Sequence, residues 1–450
     1  MPSLNRQRTP VIIDTDPGVD DVLAILLALA SPELEILAII VSFGNTDVHA
    51  AYANVYKLYQ AVGRHIAAHP EDKERFPNYT PLVPPILALG SHGPLHGGLH
   101  FAQYFHGKDG LGNIIERHPD LNVSFSDKHN HSKSDFVATT KSAIDVALDL
   151  LESRPERSIT YIVLGPPTNL AMLNREHHQI IRMRIGRVIM MGGALDVPGN
   201  TTAVAEFNFF ADPFAAKDLL CPVAPGSGLP LERVVLATLD ITTPHELPFP
   251  FYTQHIDPTF ESTSRPSIGS VKAPLTHFTS SFLEHAREIM VAFGKDALEL
   301  HDVVAVWCAI ENPPETIVQE NALPGLSPGW AAVKRKFDIE RTGEVTRGML
   351  VVDRREDQTA YSPGANRSEV QSLLEQSHRP HGLLESTSVP AQVELESEGP
   401  CKGADEWLGH PTVHDGSLGG SMDVACIVST PGKDVLLRLL TERLWGASYN

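Results

Sequence analysis

Four aspartates lie within eight residues of the sequence, at positions 14, 16, 20 and 21 of the stretch VIIDTDPGVDD. Asp14 and Asp16 follow a short apolar run, whereas Asp20 and Asp21 open an apolar helical pattern. A helix N-terminus stabilises negative charge by roughly 0.3–1 kcal/mol for each interaction, which offsets only part of the repulsion among the carboxylates. Clusters of carboxylate oxygens suit Ca²⁺ or Mg²⁺, and such a cation offsets far more. The pattern predicts a metal and substrate corner, with simple helix caps and surface charges as the alternative.

Polar side chains also follow other apolar runs along the chain. Asn45 comes just after the second run, Thr168 stands where a run gives way to a helical pattern, and His301 with Asp302 opens another such pattern. A further set follows the run RVIMMGG: Asn200, Glu206, Asn208 and Asp212. Amides and carboxylates of this kind suit a polyhydroxyl ligand such as ribose. Each residue alone is a weak signal because Asn and Asp are also ordinary turn and cap residues, so the prediction depends on their joint placement.

The elements that must position these residues are short apolar strands that alternate with helices. Strands are predicted at residues 11–13, 34–44, 85–90, 159–165, 187–193 and 233–243, and helices at 20–30, 48–62, 138–153, from 167, and near 212–220. Continuous apolar strands alternating with helices indicate an α/β fold, with a mostly parallel, doubly wound sheet covered on both faces. Ligands bind beyond the carboxyl ends of strands in such sheets, which is where the polar residues fall.

The chain of 450 residues is predicted to form a single domain, 1–450. Within it, residues 354–420 are rich in Ser, Glu, Gln, Pro and Gly, which predicts a surface insertion or disordered loop. Residues 248–274 are predicted to be irregular, and a strand and a closing helix follow at DVACIVS and DVLLRLLTERLW.

The composition excludes several classes of partner. A formal net charge of −19 disfavours a nucleic-acid partner and docking on an anionic membrane, and no apolar run reaches the ~18 residues of a membrane span. The four cysteines are scattered without a CxxC spacing, which suits a reducing compartment. The polar N-terminus shows no secretory apolar region. We therefore expect a cytoplasmic protein whose ligand is a cation or a neutral small molecule.

The ordered motifs DTDPGVDD, FGN, LGPPTNLA, EFNFFADP and HD resemble those of the inosine-uridine-preferring nucleoside hydrolases. The segments HGKDGLGN and ERTGEVTRGMLVVD are similar to family segments as well, and the resemblance covers most of residues 11–353 with a return at 423–446. It implies a Rossmann-like nucleoside hydrolase fold and a Ca²⁺-dependent enzyme. Such an enzyme hydrolyses the N-glycosidic bond of ribonucleosides to ribose and a free purine or pyrimidine base, in nucleoside catabolism or salvage. It also implies a homodimer or homotetramer.

The resemblance also implies roles for particular residues. The Ca²⁺ ligands would be Asp16, Asp21, the backbone carbonyl of Thr168, and Asp302. Asp16 would be the base that takes a proton from the metal-bound water, and His301 occupies the position that some members use as proton donor to the leaving base. The ribose hydroxyls would be held by Asp20, Asn45, Asn200, Glu206 and Asn208. Glycosidic cleavage passes through an oxocarbenium-like state, which flanking carboxylates stabilise.

Several histidines have more than one interpretation. His301 could line the site or could be a capping or packing residue beside Asp302. His106, in HGKDGLGN, could bind substrate or brace a loop. His96 and His100 have the spacing of zinc ligands on a helix, but Gly and Pro interrupt that stretch and no third ligand is evident.

Two other functions stay open from the sequence. The stretch Asp14-Thr15-Asp16 after an apolar strand resembles the nucleophile motif of haloacid dehalogenase-type phosphatases, although the following PGVDD and the EFN segment fit that class poorly. The second alternative is an inactive ribose- or Ca²⁺-binding protein with the same fold. Residues 108–135, 248–274 and 354–420 exceed what a compact family member requires, which leaves the base preference open.

Overall fold

A computed structural model describes residues 8–123, 135–222, 224, 226–260, 263, 266–315, 322–353 and 423–449. By its contacts the chain divides into two compact units, Met1–Val351 with Gly420–Asn450, and Val352–Gly419. The described residues belong to the first unit, apart from Val352 and Asp353. The predicted insertion at 354–420 therefore lies outside the described residues, as do residues 124–134 of the long segment 108–135.

Thirteen strands lie in the described part of the chain: β1 Thr9–Thr15, β2 Leu34–Val41, β3 Ile86–Leu89, β4 Val137–Ala138, β5 Ile159–Val163, β6 Ile185–Met191, β7 Val234–Ala237, β8 Glu246–Pro248, β9 Ala297–Glu299, β10 Ala331–Lys336, β11 Asp338–Ile339, β12 Leu350–Val351 and β13 Asp423–Ser429. The helices there are α1 Val19–Leu29, α2 Val48–Ala68, α3 Gln103–His106, α4 Ile114–Arg117, α5 Ala143–Ser153, α6 Thr168–Arg184, α7 Phe207–Ala211, α8 Pro213–Leu220, α9 Leu239–Thr242, α10 Phe249–His255, α11 Pro274–Ala292, α12 His301–Glu311 and the C-terminal helix Lys433–Trp445.

Nine of these strands form one sheet in the order β10-β13-β7-β6-β5-β1-β2-β3-β4. Every neighbouring pair is parallel except β10 and β13, which are antiparallel. The remaining strands pair as two short antiparallel ribbons, β8 with β9 and β11 with β12. The predicted α/β fold with a mostly parallel central sheet is confirmed.

The strand order reverses beside β1. The chain runs outward from β1 through β2 and β3 to β4, and then returns to the other side of β1 with β5 before it continues to β6 and β7. Asp14 near the end of β1 lies opposite Val163 at the end of β5. A reversal of this kind opens a crevice outside the carboxyl ends of the two central strands, where ligands bind in doubly wound sheets. Asp16 follows β1 at this position.

Helix α1 is buried along its whole length, because its sequence VDDVLAILLAL is apolar on every side. It packs against α12, of which residues 302–310 are buried as well. At the start of α1 the backbone N–H of Gly18 donates to a carboxylate oxygen of Asp21 at 3.0 Å, which holds the turn between β1 and α1 in place. The core thus fixes the backbone that carries the acidic motif.

Three parts of the described chain differ from the prediction. The strand predicted at 233–243 covers only Val234–Ala237. The chain leaves the sheet after Ala237 and forms α9. The segment 248–274, predicted as irregular, contains α10. The sequence pattern also does not predict α11, which has 19 residues. Both α10 and α11 have proline in their first turn, where it is compatible with a helix although it breaks a helix interior.

Among the residues that the structure describes, no helix combines the length and the apolar character that crossing a bilayer requires.

Candidate active site

A cavity of about 420 Å³ is lined by most of the predicted polar residues, whereas Asp16, Asp21 and Thr168 are not among its lining residues. The residues predicted to bind ribose all line it, together with His106 and the pair that opens α12: Asp20, Asn45, His106, Asn200, Glu206, Asn208, His301 and Asp302. They come from segments that are far apart in sequence. The structure therefore brings the polar residues that follow separate strands to a single place, as the sheet topology predicts.

Asp16 lies buried in a space that two glycines leave open. One carboxylate oxygen, Oδ2, accepts the backbone N–H of Asn45 at 2.7 Å. The other, Oδ1, is buried and has no hydrogen-bond partner among the described residues. A Cβ atom at Gly44 or at Gly165 would collide with this carboxylate. Gly44, after β2, and Gly165, after β5, therefore leave the space that the Asp16 side chain occupies. This space lies beside β1, where the strand order reverses.

Asp21 connects the whole turn between β1 and α1. Its Oδ1 accepts the Thr15 hydroxyl at 2.6 Å and the Asp16 backbone N–H at 3.3 Å. Its Oδ2 accepts the Gly18 backbone N–H at 3.0 Å and the Asn45 side-chain amide at 2.7 Å. Asp21 therefore acts as a helix cap and also lies in the acidic corner, so the two interpretations of this residue are compatible.

The acidic corner gathers carboxylates from two helices. One carboxylate oxygen each from Asp20, Asp21 and Asp302 lies within 4.8 Å of the others. Burial raises the pKa of Asp302 well above its ordinary range, and repulsion from Asp20 and Asp21 adds to this. The pKa of Asp16 is raised in the same sense by burial and then by Asp21, and that of Asp20 to about 7 by burial and Asp21. These carboxylates disfavour one another's charge, which is the situation that a bound cation relieves.

Asp14 has a different environment from the other three aspartates. It accepts hydrogen bonds from the Tyr161 hydroxyl at 3.0 Å and from the Asn169 side-chain amide at 2.8 Å. Asn169 in turn accepts the backbone N–H of Ser91 at 2.8 Å. Burial raises the pKa of Asp14 to about 7, although both hydrogen bonds act in the opposite direction. Asp14 therefore ties β1 to β5 and to the loop after β3, and it does not belong to the group of neighbouring carboxylates formed by Asp20, Asp21 and Asp302.

Thr168 is the first residue of α6, directly after the turn that follows β5. It is fully buried, and its hydroxyl donates to Asp212 at 2.7 Å. Asp212 also accepts the backbone N–H of Leu95 at 2.8 Å and that of Ala215 at 3.0 Å. The preceding turn contacts Asp16 through Gly165. The acidic motif and the β5–α6 turn are thus neighbours, as a shared ion requires.

Glu206 and Asn208 are placed by a short helix rather than by a strand. Glu206 is the N-cap of α7 and accepts the backbone N–H groups of Asn208 at 2.7 Å and Phe209 at 3.1 Å. The Asn208 amide donates to the Leu164 carbonyl at 2.6 Å. Asn200 accepts the backbone N–H of Phe207 at 3.0 Å. The N-terminus of α7 therefore organises this side of the cavity.

His106 lines the cavity and also braces a loop, while substrate binding by this residue stays a prediction. Its Nδ1 accepts the backbone N–H of Val19 at 3.1 Å, 87 residues away in sequence. Burial lowers its pKa to about 3, with additional repulsion from His285 and His301. The ring is therefore neutral with its proton on Nε2, which makes it a donor. Asp109, which the sequence reasoning missed, stabilises this loop by accepting three backbone N–H groups, from Leu111, Asn113 and Ile115.

His301 is held at both ring nitrogens by residues that the sequence did not indicate. Leu300 is the N-cap of α12, so His301 is not the capping residue. Its Nδ1 lies 2.8 Å from the Thr242 hydroxyl, and its Nε2 lies 3.1 Å from Oε2 of Glu299. Lys295 donates to Glu299 at 2.7 Å. Glu299 stands two residues before His301 in LELHD. This i, i+2 spacing is the feature of the sequence that could have indicated the contact between the two side chains.

The zinc interpretation of His96 and His100 receives no support from the described residues. They lie in a loop rather than on a helix. His96 packs on Phe214 and His100 packs on Phe210, with ring centroids 4.9 Å and 4.7 Å apart. The two groups of described residues with metal-ligand proximity include neither histidine.

The fold and the site define the class as an α/β protein with an oxygen-rich ligand pocket beside β1, where the strand order of the parallel sheet reverses. The family model described as inosine-uridine preferring nucleoside hydrolase matches residues 11–378. The chain is 31% identical over 346 residues to the pyrimidine-specific ribonucleoside hydrolase RihA of Citrobacter koseri, which covers 76% of this chain and 88% of that protein. The RihA of an Escherichia coli O81 strain matches with the same identity and coverage. The chain belongs to the inosine-uridine preferring nucleoside hydrolase family and is an enzyme.

Solved structures show the same fold. A plant nucleoside hydrolase, PpNRh1, is similar with a TM-score of 0.59 and 21% sequence identity, over 97% of this chain and 99% of that chain. A purine-preferring ribonucleoside hydrolase from Gardnerella vaginalis is similar with a TM-score of 0.54 and 23% identity, over 78% of this chain and 90% of that chain.

Proposed function

We propose that this protein hydrolyses the N-glycosidic bond of ribonucleosides to ribose and a free base, and that it uses a Ca²⁺ ion in the acidic corner. The observation that carries the proposal is the Asp16 carboxylate, whose Oδ1 is buried without a hydrogen-bond partner among the described residues. A buried carboxylate oxygen in that state is costly unless a ligand satisfies it. Its neighbours are further carboxylates, so a cation is the ligand that suits it.

The residues present fit a hard cation. The proposed ligands are Asp16, Asp21, the backbone carbonyl of Thr168, and Asp302, and all of these offer oxygen, which Ca²⁺ prefers. When bound, the ion supplies positive charge that holds ribose hydroxyls and lowers the pKa of a water molecule near the sugar. Mutual repulsion among the carboxylates explains why the corner is suited to an ion and costly without one.

The polar wall of the cavity is proposed to hold the ribose. Asp20 and Glu206 offer carboxylate oxygens to hydroxyl groups, and Asn45, Asn200 and Asn208 offer amides. The side-chain amide of Asn208 donates to the Leu164 carbonyl, which leaves its Oδ1 for a ligand hydroxyl. Because these groups are held by backbone hydrogen bonds, they are oriented before the sugar arrives and lose little entropy on binding.

The proposed reaction is a displacement by water at the anomeric carbon. Asp16 takes a proton from the attacking water as the oxygen bonds to C1′, and the C1′–N bond breaks with its electron pair moving to the base nitrogen. His301 gives a proton to the departing base, so the products are neutral ribose and neutral base. The carboxylates beside the ribose stabilise the positive charge that develops on the sugar in the transition state.

A base-release assay tests the proposal. Purified protein is incubated with a panel of purine and pyrimidine nucleosides, with added Ca²⁺ and with a chelator. We expect free base in the presence of Ca²⁺, loss of activity with chelator, and recovery when Ca²⁺ is restored. The panel also decides the base preference, because the similar proteins named above include a pyrimidine-specific and a purine-preferring hydrolase.

The same assay separates the alternatives. Phosphate release from nucleotides without free base would indicate a phosphatase, and nucleoside binding without turnover would indicate a binding protein. Asp16→Asn is expected to remain folded but to lose turnover by about 10²–10⁴-fold, since it removes the proposed base. Near-normal activity in this variant would exclude the role proposed for Asp16. A cytoplasmic location, a homodimeric or homotetrameric assembly and a role in nucleoside catabolism or salvage stay predictions.

A further inference from the structure

A second group of possible metal ligands lies outside the candidate active site. One ligand atom each from His118, Asp120 and His277 lies within 4.8 Å of the others. None of the three lines the active-site cavity, and none belongs to the acidic corner. Two are buried, His118 at 2% and His277 at 6% exposure, whereas Asp120 faces solvent. We refer to these three residues as the histidine cluster.

His277 directs one ring nitrogen into this cluster. It lies in the first turns of α11, and its Nε2 is 2.8 Å from Oδ2 of Asp120. Its other ring nitrogen, Nδ1, is 3.4 Å from the hydroxyl of Ser281. Nε2 is therefore the nitrogen that faces the carboxylate.

His118 is engaged through only one of its ring nitrogens. Its Nε2 is 3.1 Å from Oε2 of Glu284, a carboxylate that also accepts hydrogen bonds from Arg117 at 2.8 Å and from the Ser267 backbone at 2.9 Å. Within the described ranges, Nδ1 of His118 has no hydrogen-bond partner. Metal-binding histidines commonly donate their other ring N–H to a carboxylate, which fixes the ring and raises its basicity. Glu284 stands in that relation to His118.

We propose that Nδ1 of His118, Nε2 of His277 and the Asp120 carboxylate bind a divalent transition metal of the Zn²⁺ type. Two imidazoles and one carboxylate suit Zn²⁺ rather than Ca²⁺ or Mg²⁺, which prefer an all-oxygen set. Bond lengths of about 2.0–2.1 Å in a tetrahedral site place ligand atoms about 3.4 Å apart. At present Nε2 of His277 lies 2.8 Å from Oδ2 of Asp120, and a ring nitrogen of His118 lies within 4.8 Å of a ligand atom of each of these residues, so small side-chain rotations suffice. The exposed side of Asp120 leaves the fourth position to water.

Such a site would join two segments that also build the cavity. The segment that ends in His118 begins near His106, which lines the cavity, and α11 carries His277 near its start and the cavity residue Met290 near its end. A metal bound to both segments would therefore stabilise the fold around the cavity. The proposal does not depend on the acidic corner or on the reaction.

The experiment uses the full-length, tag-free protein in buffer that contains Ca²⁺. Zn²⁺ binding is followed by calorimetry, Co²⁺ binding by its visible absorption, and the thermal midpoint Tm is measured with and without Zn²⁺. We expect one equivalent of Zn²⁺ to bind, a Co²⁺ spectrum typical of nitrogen and oxygen ligands, and a higher Tm with Zn²⁺. His277→Gln and Asp120→Asn are expected to weaken binding by about tenfold or more, whereas His255→Gln, on α10, is not.

Asp120→Asn keeps the test valid if a substitution of a buried histidine fails to fold, because the Asp120 side chain is exposed. Absence of the Co²⁺ spectrum in wild-type protein would overturn the proposal. Equal Zn²⁺ binding by His277→Gln and Asp120→Asn would also overturn it. Binding that is lost in Asp16→Asn but kept in the cluster variants would place the metal in the acidic corner and would reject the histidine cluster.

Discussion

Oε2 of Glu299 lies 3.1 Å from Nε2 of His301, and this pair is part of a larger charge arrangement beside the cavity. Glu299 on β9 lies directly opposite Glu246 on β8, so two like charges meet across the ribbon. Lys295 bridges them, with its ammonium group 2.7 Å from Glu299 and 2.6 Å from Glu246. Burial alone would raise the pKa of Glu299, but His301 and Lys295 outweigh it and lower the pKa to about 2. Glu299 is therefore an ionised partner that orients the imidazole.

Glu299→Gln is expected to lower kcat for nucleosides by about tenfold or more, because a neutral amide no longer favours the protonated form of His301, the proposed proton donor. A riboside with 4-nitrophenol as leaving group needs no such proton, so its kcat should change little in this variant. Steady-state kinetics on both substrates test this. Glu246→Gln is the matched control, since it leaves the Glu299–His301 pair in place. An equal loss on both substrates would show that Glu299 is only structural.

Calcium removal is expected to lower the thermal midpoint of the protein. The reason is the repulsion among the buried carboxylates of the acidic corner, which raises the pKa of Asp302 in addition to the effect of burial. Saturation at about 100 times the dissociation constant adds about 2.7 kcal/mol of stability. Calorimetry of wild type and Asp302→Asn, with Ca²⁺ and with chelator, tests this. The variant should show a smaller difference between the two conditions, and Asp218→Asn at the surface should behave as wild type. Equal midpoints for wild type in both conditions would contradict a Ca²⁺ site.

Gly165→Ala is expected to reduce kcat/KM by about 100-fold, because displacing the proposed base Asp16 by about 1 Å should have an effect of that size. The added Cβ would collide with the Asp16 carboxylate and move it from its position. Gly98→Ala is the control, since a Cβ there meets no atom within 4 Å. Kinetics and circular dichroism of both variants separate displacement from unfolding. Wild-type activity in Gly165→Ala would show that the Asp16 side chain is not confined as described.

Asp257→Asn is expected to destabilise the fold by about 3–5 kcal/mol, because it leaves the buried Lys272 without its partner. In the wild type the Lys272 ammonium group lies 2.5 Å from Asp257, and both side chains are at most 3% exposed. Denaturant unfolding of this variant measures the effect. Asp296→Asn, which breaks an exposed pair with Arg287, is the control and should cost no more than about 1 kcal/mol. Equal losses in the two variants would contradict the role of burial.

The Asp257 pair also predicts how stability depends on pH. Burial would raise the pKa of Asp257, but the hydrogen bonds from Lys272, Ser280 and Thr259 outweigh it and lower the pKa. The unfolded chain, with a carboxyl pKa of about 3.9, then binds the proton more readily than the folded protein. The stabilisation is therefore complete above that value and is lost as the pH falls toward the folded pKa. The free energy of unfolding, measured from neutral pH to about pH 3, should fall less steeply with decreasing pH in Asp257→Asn than in wild type. The same pH dependence of the unfolding free energy in both proteins would contradict this.

The elements that were hardest to predict begin with proline. Residues 248–274 are predicted from the sequence to be irregular, yet α10 begins there and α11 begins at its end, and both helices have proline in the first turn. Proline in a first turn leaves no hydrogen bond unmade, since those N–H groups have no partner within the helix in any case. Whether proline ends one segment or starts another depends on what the following residues pack against, and spacing alone does not show this.

The sequence by itself determined the acidic turn, because Asp16 directly follows β1 and Asp20 and Asp21 lie in the first turn of α1, so their relative geometry is local. It also determined the parallel sheet and the burial of α1, since an apolar pattern on every side has only one stable environment. Only the tertiary structure decided that Asp14 turns away to Tyr161, that His106 accepts the backbone N–H of Val19, and that Glu299 holds His301. Packing decides which side chains and segments meet in these contacts. Packing depends on the shapes of many residues at once, whereas sequence spacing describes only a few.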